Sequence, residues 1–586
     1  MQQLLGLALL SAVIAFPAYA DESLKVVYPP ANHETTSERI FLIGTAPPQA
    51  EVTVNGQLIS DRSPAGHFAP SLPLELGENI FTLRDKDQFV TVQVRRLPKS
   101  ASQPRGLAFA NGSLTPAVAI AKLPNEPICF SGVAPPHSNV SVKLAGQTIP
   151  LFAQIQAVDL PPNSAVLTQT NQPTTNVVSG LYQGCTAVST PGNLGKPLFL
   201  LTKNGKTFRQ EAAGSIKILS PAQFSVAEVT RDQGVARTGP STDYSRLTPL
   251  PKGTQAKVTG REGAWLRLDY GGWIDQKEVR VQAHGMPQSI IRSVRTQPVS
   301  GWTEVVFPLQ APVPVMASQG ERTFTLTLYN TTAQTDVIRL DNDPVISRLD
   351  WQQVAPGQVQ YTFNLKSSQQ WGYKLRYEGT SLILSLRHSP IIIRNNLPLS
   401  GVKILLDPGH GSKNDLGSVG PTGYPEKDAA LVVSKLLRQE LSRRGATVIM
   451  TREGDEDLYP QDRVTMIEKT EPNLAVSLHY NALPDNGDAL HTQGVGAFWY
   501  QAQSHDLAMF LQNYLVKKLD RPTYGVFWDN LALTRPTVAP AVLLELGFMT
   551  NPNEFEWITN LQAQKQLAAT LADGITKWLT VVRKSS

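Results

Sequence analysis

Four residues in the last third of the chain have side chains suited to binding a metal ion or moving a proton. His410 follows an apolar run at 402–406, and Glu426 comes sixteen residues later, at the start of a predicted helix. His479 ends another apolar run, and Glu545 lies inside a further one, AVLLELGF. Two imidazoles and one carboxylate, with a fourth position left for water, are the donor set of a catalytic zinc site.

Glu545 differs from the other three because its strand is otherwise apolar, where an unpaired carboxylate is costly to bury. The cost is justified if Glu545 faces a water held by the metal, since an apolar wall raises a carboxyl pKa toward that of a general base. We therefore predict His410, Glu426 and His479 as ligands of one Zn²⁺ and Glu545 as the catalytic base. The absence of any sign of redox chemistry favours zinc over iron, although these ligand types alone leave the metal open.

The elements that must position these residues form an α/β domain, predicted over 400–583. Predicted strands alternate with predicted helices; the strands are 402–406, 446–450, 474–478, 495–500 and 541–546, and the helices are 427–444, 461–469, 504–519 and 562–580. This alternation is typical of an open, mostly parallel sheet with helices on both faces. Such sheets bind ligands at the carboxyl ends of their strands, where the histidines are expected.

This domain resembles the zinc-dependent N-acetylmuramoyl-L-alanine amidases of the Amidase_3 type over residues 402–580. The resemblance rests on the order and spacing of LLDPGHG, PEKD, RRGATVIMTR, AVSLHYNA and AVLLELGFMTN. It implies that His410, Glu426 and His479 bind zinc and that Glu545 is the catalytic glutamate. It also implies the substrate, which is the amide bond between the lactyl group of N-acetylmuramic acid and L-alanine of the stem peptide.

Other positions of the domain carry weaker expectations. Asn481 and Arg452 are expected to hold either the substrate or the strand ends; we assign Asn481 to substrate binding and favour a purely structural role for Arg452. Ser412 stands where a glycine often follows GHG in the family, a loop change that should be tolerated. Only twelve residues separate Asn481 from Gly494, too few for the helix that blocks the site of some relatives until a partner removes it. Self-inhibition of that kind is therefore in doubt, and an activator protein stays open as a partner.

The N-terminal half contains an internal repeat. Residues 40–59 and 128–149 share an apolar strand, an APP corner, an alternating strand and a closing turn. Short alternating strands with frequent turns predict two immunoglobulin-like β modules, over 24–97 and 115–220. The second module carries a longer insertion at 153–195.

Two further β units precede the α/β domain. Residues 225–282, with Trp265 and Trp273, resemble the bacterial SH3-like domain of exported cell-wall proteins, and their short glycine-punctuated strands suit a small barrel. The β-rich block 286–390 resembles an AMIN domain in its last strands. The predicted architecture is therefore several all-β modules followed by one α/β catalytic domain.

The first twenty residues predict an exported protein. Residues 1–20 combine an apolar stretch with a small-residue cleavage pattern, which is typical of a signal peptide. No later segment approaches the about 18 apolar residues of a spanning helix, so no transmembrane anchor is expected after cleavage. We predict a location in the periplasm or cell envelope. Cys129 and Cys185 can pair there, with two buried free thiols as the alternative.

Composition excludes several classes of protein. A chain of 586 residues suggests roughly three to five domains, and 41% hydrophobic with 17% charged residues argues against disorder. The net charge is +5, with no dense basic run and no zinc-finger spacing, so no nucleic-acid partner is expected.

The leading hypothesis is an exported, zinc-dependent peptidoglycan hydrolase whose β modules target it to the wall. The alternative is a non-catalytic wall-binding or scaffold protein with an inert amidase-like domain. A third hypothesis keeps the enzyme class and changes the bond, to a zinc peptidase that cuts stem peptides, although no HExxH motif is present.

Overall fold

The computed structural model describes residues 23–98, 104, 106–283, 285, 288–391 and 397–584. The predicted signal peptide, residues 1–20, lies outside the described residues. None of the described helices combines the length and the apolar character that crossing a membrane requires.

The first β module is built from short strands around one core. Its strands are β1 Lys25–Tyr28, β2 His33–Thr35, β3 Arg39–Phe41, β4 Ile43–Thr45, β5 Thr53–Val54, β6 Gln57–Leu58, β7 His67–Phe68, β8 Ser71–Pro73, β9 Gly77–Asp85 and β10 Gln88–Arg96. They form a five-stranded sheet in the order β2-β10-β9-β5-β6, a three-stranded sheet β1-β4-β7 and the pair β3-β8. Buried Leu42, Phe68 and Val94 share the core between them.

The second β module contains one six-stranded sheet, in the order β12-β15-β14-β13-β17-β18. Its strands are β11 Ile120–Lys122, β12 Ile128–Val133, β13 Asn139–Leu144, β14 Gln147–Asp159, β15 Thr174–Thr186, β16 Gly192–Gly195, β17 Leu198–Lys203, β18 Lys206–Glu211 and β19 Ile216–Ile218. The predicted insertion at 153–195 contains the outer half of the long hairpin β14-β15. Cys129 and Cys185 are directly opposed on β12 and β15 and form a disulfide, which settles the pairing that the sequence left open.

The third unit pairs with the second. Its strands are β20 Val226–Val229, β21 Gln233–Gly234, β22 Ala236–Arg237, β23 Leu250–Pro251, β24 Gln255–Glu262, β25 Trp265–Leu268, β26 Trp273–Asp275 and β27 Val279–Gln282. Strand β11 lies antiparallel to β24, so one sheet runs from the second module into the third. The two units therefore share backbone hydrogen bonds as well as a linker.

The fourth unit consists of two packed sheets. Its strands are β28 Ser289–Val299, β29 Trp302–Phe307, β30 Val315–Gln319, β31 Thr323–Tyr329, β32 Thr331–Arg339, β33 Ile346–Ala355, β34 Gln358–Leu365, β35 Tyr373–Glu378 and β36 Ser381–Arg387. The order is β32-β28-β29-β36-β35 in one sheet and β30-β31-β34-β33 in the other, with Phe307, Phe324 and Tyr361 buried between them. The β-rich character is as expected, and the resemblance to an AMIN domain stays a prediction.

The last domain is the predicted α/β domain. Its strands are β37 Lys403–Pro408, β38 Thr447–Met450, β39 Leu474–Asn481, β40 Val495–Trp499, β41 Thr523–Trp528 and β42 Ala541–Phe548, and its helices are α1 Glu426–Arg443, α2 Pro460–Thr470, α3 His505–Leu519, α4 Pro552–Thr559 and α5 Leu561–Lys584. The sheet order is β38-β37-β39-β42-β40-β41, and every neighbouring pair is parallel except β42-β40. The predicted mostly parallel sheet is confirmed, and β41 and α4 were not predicted.

Both faces of this sheet are covered. Ile404 and Leu406 of β37 pack in one core with α1, α3 and α5. Leu405, which points to the opposite face, packs with Ile467 of α2 and with Trp302 from the fourth unit. Alternate residues of a strand face opposite sides, so an apolar run such as 402–406 is what a sheet buried on both faces requires.

We expect the disulfide to stabilise the second module by closing a long loop. Replacing both Cys129 and Cys185 by serine removes a cross-link that spans 56 residues, a loss of about 4 kcal/mol in the chain-entropy model. Calorimetry of the full chain should show one transition shifted to lower temperature. Reductant should produce the same shift in the unchanged protein and no shift in the double variant; equal transitions in both proteins would contradict the expectation.

Candidate active site

His410 sits in a tight turn directly after β37. Its φ is +58°, a left-handed conformation that side-chain-bearing residues seldom adopt. Gly409 precedes it, and a Cβ added there would lie 2.4 Å from the ring of His479, so only glycine fits. Buried Arg452 and Arg463 both donate to the carbonyl oxygen of Pro408, at 3.0 and 2.8 Å. Arg452 therefore supports the turn, as its favoured structural role requires, and Arg463 is a second support that was not predicted.

Arg463 also forms a buried ion pair with Asp407, the residue that ends the apolar run of β37. Arg463 Nη1 lies 2.7 Å from Asp407 Oδ1, and both side chains are almost fully buried. Ser477 Oγ donates to the other carboxylate oxygen at 2.6 Å. The pair therefore connects β37, α2 and β39 immediately below the turn that carries His410.

Glu426 is the first residue of α1, and its carboxylate is held from several sides. Its Oε2 accepts hydrogen bonds from the backbone N and the Oγ of Ser418, at 2.9 and 3.0 Å, and its Oε1 accepts one from Tyr480 N at 3.0 Å. The side chain is only 4% exposed. A carboxylate at a helix N-terminus is also favoured by the helix dipole.

The structure brings the three predicted ligands together. One donor atom each of His410, Glu426 and His479 lies within 4.8 Å of the others. His410 Nε2 is 3.2 Å from Glu426 Oε2, and His479 Nδ1 is 3.0 Å from Glu426 Oε1. The imidazole ring centroids are 5.0 Å apart. Two ring nitrogens and a carboxylate therefore converge on one point at the carboxyl ends of β37 and β39.

Asp415 fixes the ring of His410 and was not predicted. His410 Nδ1 lies 2.6 Å from Asp415 Oδ1, which leaves Nε2 directed at Glu426. Burial opposes protonation of His410, but the carboxylates of Glu426 and Asp415 raise its pKa to about 9. A carboxylate behind a ligand histidine is a common feature of metal sites. Asp415 belongs to a glycine-containing loop with no periodic pattern, so only its closeness to His410 in sequence pointed to it.

Glu545 lies beside this cluster. It is opposite His479 in the parallel ladder of β42 and β39. Its Oε2 is buried and has no hydrogen-bond partner. Burial and then the negative charge of Glu426 raise the pKa of Glu545 well above its ordinary value. Burial also raises the pKa of Glu426. The hydrogen bonds of its carboxylate to both histidines outweigh burial and hold that pKa below its ordinary value.

Two further residues border the cluster. Asn481, the predicted substrate-binding residue, ends β39, and its Oδ1 accepts a hydrogen bond from Ala482 N at 2.8 Å. Its contact with substrate stays a prediction.

Tyr524 of β41 packs edge-on against Phe548, with ring centroids 4.9 Å apart. Burial and then the charge of Glu545 raise the pKa of the Tyr524 hydroxyl. Tyr524 was missed because β41 itself was missed.

The first β module lies against the loops around this site, which the sequence did not indicate. Lys25 Nζ donates to the carbonyl oxygen of Thr422, four residues before Glu426, at 3.0 Å. Tyr28 and His33 both contact the carboxylate of Asp485 in the loop after β39, His33 at 3.0 Å. The module therefore contacts the two loops that follow β37 and β39.

Comparison with protein families gives two matches. A family described as N-acetylmuramoyl-L-alanine amidase matches residues 404–577, and one described as bacterial SH3 domain matches residues 235–280. Both lie inside the domains predicted at 400–583 and 225–282.

Individual relatives agree with the first match. The germination-specific N-acetylmuramoyl-L-alanine amidase of Bacillus subtilis is 33% identical over 207 residues, which cover 32% of this chain and 83% of the relative. The probable cell wall amidase LytH of Staphylococcus aureus is 33% identical over 180 residues, 30% of this chain and 58% of the relative. The solved amidase AmiC2 of Nostoc punctiforme is 29% identical, covers 31% of this chain and 99% of its own, and has a TM-score of 0.29.

A sheet with this site at its carboxyl edge defines a hydrolase domain of the α/β class. The chain belongs to the N-acetylmuramoyl-L-alanine amidase family, a class of peptidoglycan hydrolases, and it carries a bacterial SH3 domain.

We expect Arg463→Met to destabilise the catalytic domain by about 3–5 kcal/mol, because it leaves the charge of Asp407 buried without a cation. Calorimetry of the full chain should show the corresponding transition at lower temperature. The double variant Asp407→Asn/Arg463→Met is the matched control, since it removes both charges and should recover part of the loss. Equal transitions for the unchanged protein and the single variant would show that the pair does not support the turn.

Proposed function

We propose that this protein is a zinc-dependent N-acetylmuramoyl-L-alanine amidase of the cell envelope. His410, Glu426 and His479 would hold one Zn²⁺, and Glu545 would be the general base. The observation that carries the proposal is the convergence of three metal-binding donors beside a buried carboxylate oxygen that has no partner.

The donor set fits zinc. Two neutral imidazoles and one carboxylate form a three-ligand site that leaves a position for water or substrate. Asp415 behind His410 supports metal binding, since it orients the ring and favours the tautomer with Nε2 free. The bonds from Ser418 and Tyr480 orient Glu426 in the same way, so that its negative charge offsets that of a cation.

The proposed reaction is hydrolysis of the amide between the lactyl carbonyl carbon and the nitrogen of L-alanine. Zinc, when bound, lowers the pKa of a water and polarises the scissile carbonyl. Glu545 takes one proton from the attacking water while the new C–O bond forms. As the C–N bond breaks, Glu545 returns that proton to the leaving nitrogen. The raised pKa of Glu545 suits a group that must first accept a proton and then release it.

Two alternatives are less well supported. An inert scaffold would have no need for three convergent donors and a buried, unpartnered glutamate, because such polar groups are costly to keep in a core. A peptidase acting on stem peptides would use the same metal chemistry on another bond. Only the identity of the product separates it from an amidase.

Location and partners are also proposals. The sequence of residues 1–20 supports export, and the names of the relatives support an envelope location. The SH3 domain supports attachment to peptidoglycan by the N-terminal modules. Several weak contacts between these modules and a repeating polymer would together give tighter binding through avidity. An activating protein would be a further partner.

We expect Glu545→Gln to lower kcat by about 10²- to 10⁴-fold while zinc stays bound, because the variant loses the proton acceptor and keeps all three ligands. Residues 21–586 are incubated with purified sacculi, and soluble products are identified by mass spectrometry. The unchanged protein should release stem peptides with a free L-alanine amino terminus, and chelation should stop release until zinc is added. The matched control is Glu453→Gln, an exposed carboxylate of the same domain. Products cut at another bond would replace the amidase with a peptidase, and full activity of Glu545→Gln would remove the proposed role.

Wall binding should not need catalysis. The Glu545→Gln protein should therefore still pellet with sacculi, and 0.5 M salt should weaken pelleting only modestly, because the net charge of +5 is small. Centrifugation with and without sacculi measures this. If the protein stays in the supernatant, the β modules do not bind the wall, and the amidase proposal is unaffected.

A further inference from the structure

The second β module extends a long hairpin beyond its own sheet. Strand β14 pairs with β13 only through residues 147–151, and β15 pairs with β12 only through 181–186. Residues 155–179, which we call the arm, continue as a two-stranded ribbon that ends in the 3-10 helix Asn163–Thr168. At about 3.4 Å per residue, its four cross-strand pairs, from Gln156–Val177 to Asp159–Thr174, extend about 14 Å along the ribbon. The arm accounts for most of the insertion that distinguishes this module from the first.

The tip of the arm lies at the active-site end of the catalytic sheet. Tyr524 donates from its hydroxyl to the carbonyl oxygen of Leu167 in the tip, at 2.6 Å. The ring of Tyr524 is in turn next to Phe548 and Gly496, and Gly496 is opposite Glu545 in the ladder of β40 and β42. A Cβ added at Gly496 would lie 3.2 Å from the Tyr524 ring. One side chain therefore separates the arm from the surroundings of Glu545.

The composition of the arm is unusual for an exposed segment. Asp159 is its one ionisable residue, whereas twelve of its 25 residues carry hydroxyl or amide side chains. Aliphatic side chains are also exposed on it, among them Ile155 at 76% and Leu160 at 80%. Exposed apolar groups beside a binding site commonly mark a contact surface. The arm thus offers hydrogen-bonding groups and exposed aliphatic side chains with almost no charge.

A glycan strand has the matching chemistry. Its sugar rings present hydroxyl and acetamido groups at their edges and apolar C–H groups on their faces, and they carry no charge once the lactyl carboxyl is joined to a peptide. A peptide partner of the wall would instead bring charged termini and side chains. Among the parts of the substrate, the sugars therefore fit the arm best.

We propose that the arm is one wall of the substrate cleft and contacts the glycan strand that carries the scissile stem peptide. The inference rests on the proposed function and deepens it, because it assigns a preference for polymeric glycan over small soluble substrates. The hydrogen bond from Tyr524 orients the tip of the arm against the catalytic sheet.

Shortening the arm tests this. Residues 157–176 are replaced by Asn-Gly, so that the cross-strand pair Gln156 and Val177 flanks a two-residue turn. We expect kcat/KM on sacculi to fall at least 10-fold, and kcat/KM on a soluble N-acetylmuramoyl tripeptide to change less than 2-fold. An equal change on both substrates would overturn the proposal, as would an unchanged rate on sacculi. A rise on both would also overturn it, because it would show that the arm covers the site.

A second variant keeps the backbone of the arm intact. Ile155→Ser/Leu160→Ser alters only exposed side chains, so folding should be unaffected, and we expect a 3- to 10-fold fall on sacculi alone. Leu76→Ser/Ile80→Ser is the matched control, because both residues are exposed aliphatics of the first module. A fall of the same size in the control would assign the effect to general surface polarity and overturn the proposal.

Binding of peptide-free glycan strands tests the role of the arm independently of amide hydrolysis. Calorimetric titration should show at least 10-fold weaker binding to the shortened arm than to the unchanged chain. If neither sacculi nor the tripeptide yields peptides with an L-alanine terminus, the proposed function fails while this difference still decides the role of the arm. Equal binding by both proteins would overturn the proposal.

Discussion

The catalytic domain depends on one buried negative charge, that of Glu426. A carboxylate with so little exposure is tolerable only because Ser418, Tyr480 and two imidazoles surround it. These contacts come from three parts of the domain: the loop before α1 (Ser418), the end of β39 (His479 and Tyr480) and the turn after β37 (His410). The order of the strands and the left-handed backbone at His410 both serve to place donors around that charge. Burial and then the charge of Glu426 raise the pKa of Glu545, so the proposed metal-binding carboxylate also contributes to the pKa of the proposed base.

The β modules contact the catalytic domain near its active site, unlike binding domains that are joined only by flexible linkers. The first module contacts the loops after β37 and β39 through Lys25, Tyr28 and His33. The second reaches Tyr524 with its arm, and the third shares a sheet with the second. Contacts of this kind limit how far each module moves relative to the site. If the modules bind the wall as proposed, such binding would also orient the polymer relative to the active site.

Expectations from sequence were most successful where local pattern and packing agree. The apolar run at 402–406 forms β37, and residues 427–444, whose apolar positions have helical spacing, form α1. Both elements are buried on the predicted faces. Strand β41 was missed, since an edge strand is partly exposed on both sides and lacks a clear apolar period. Helix α4 was missed because eight residues starting with proline give little helical period. The predicted AMIN resemblance stays open, since a β-sandwich is compatible with many families.

Short-range spacing and apolar period specify the donor types, their positions at strand ends and the α/β class of the domain. The groups that surround the donors are fixed only by tertiary packing. The ion pair of Arg463 and Asp407 and the contact of Tyr524 with the arm join residues on different elements, 56 and 357 residues apart. Asp415 lies only five residues from His410, but the fold of their shared loop brings the two side chains together. No pattern along the chain encodes contacts that depend on how elements and loops pack in three dimensions.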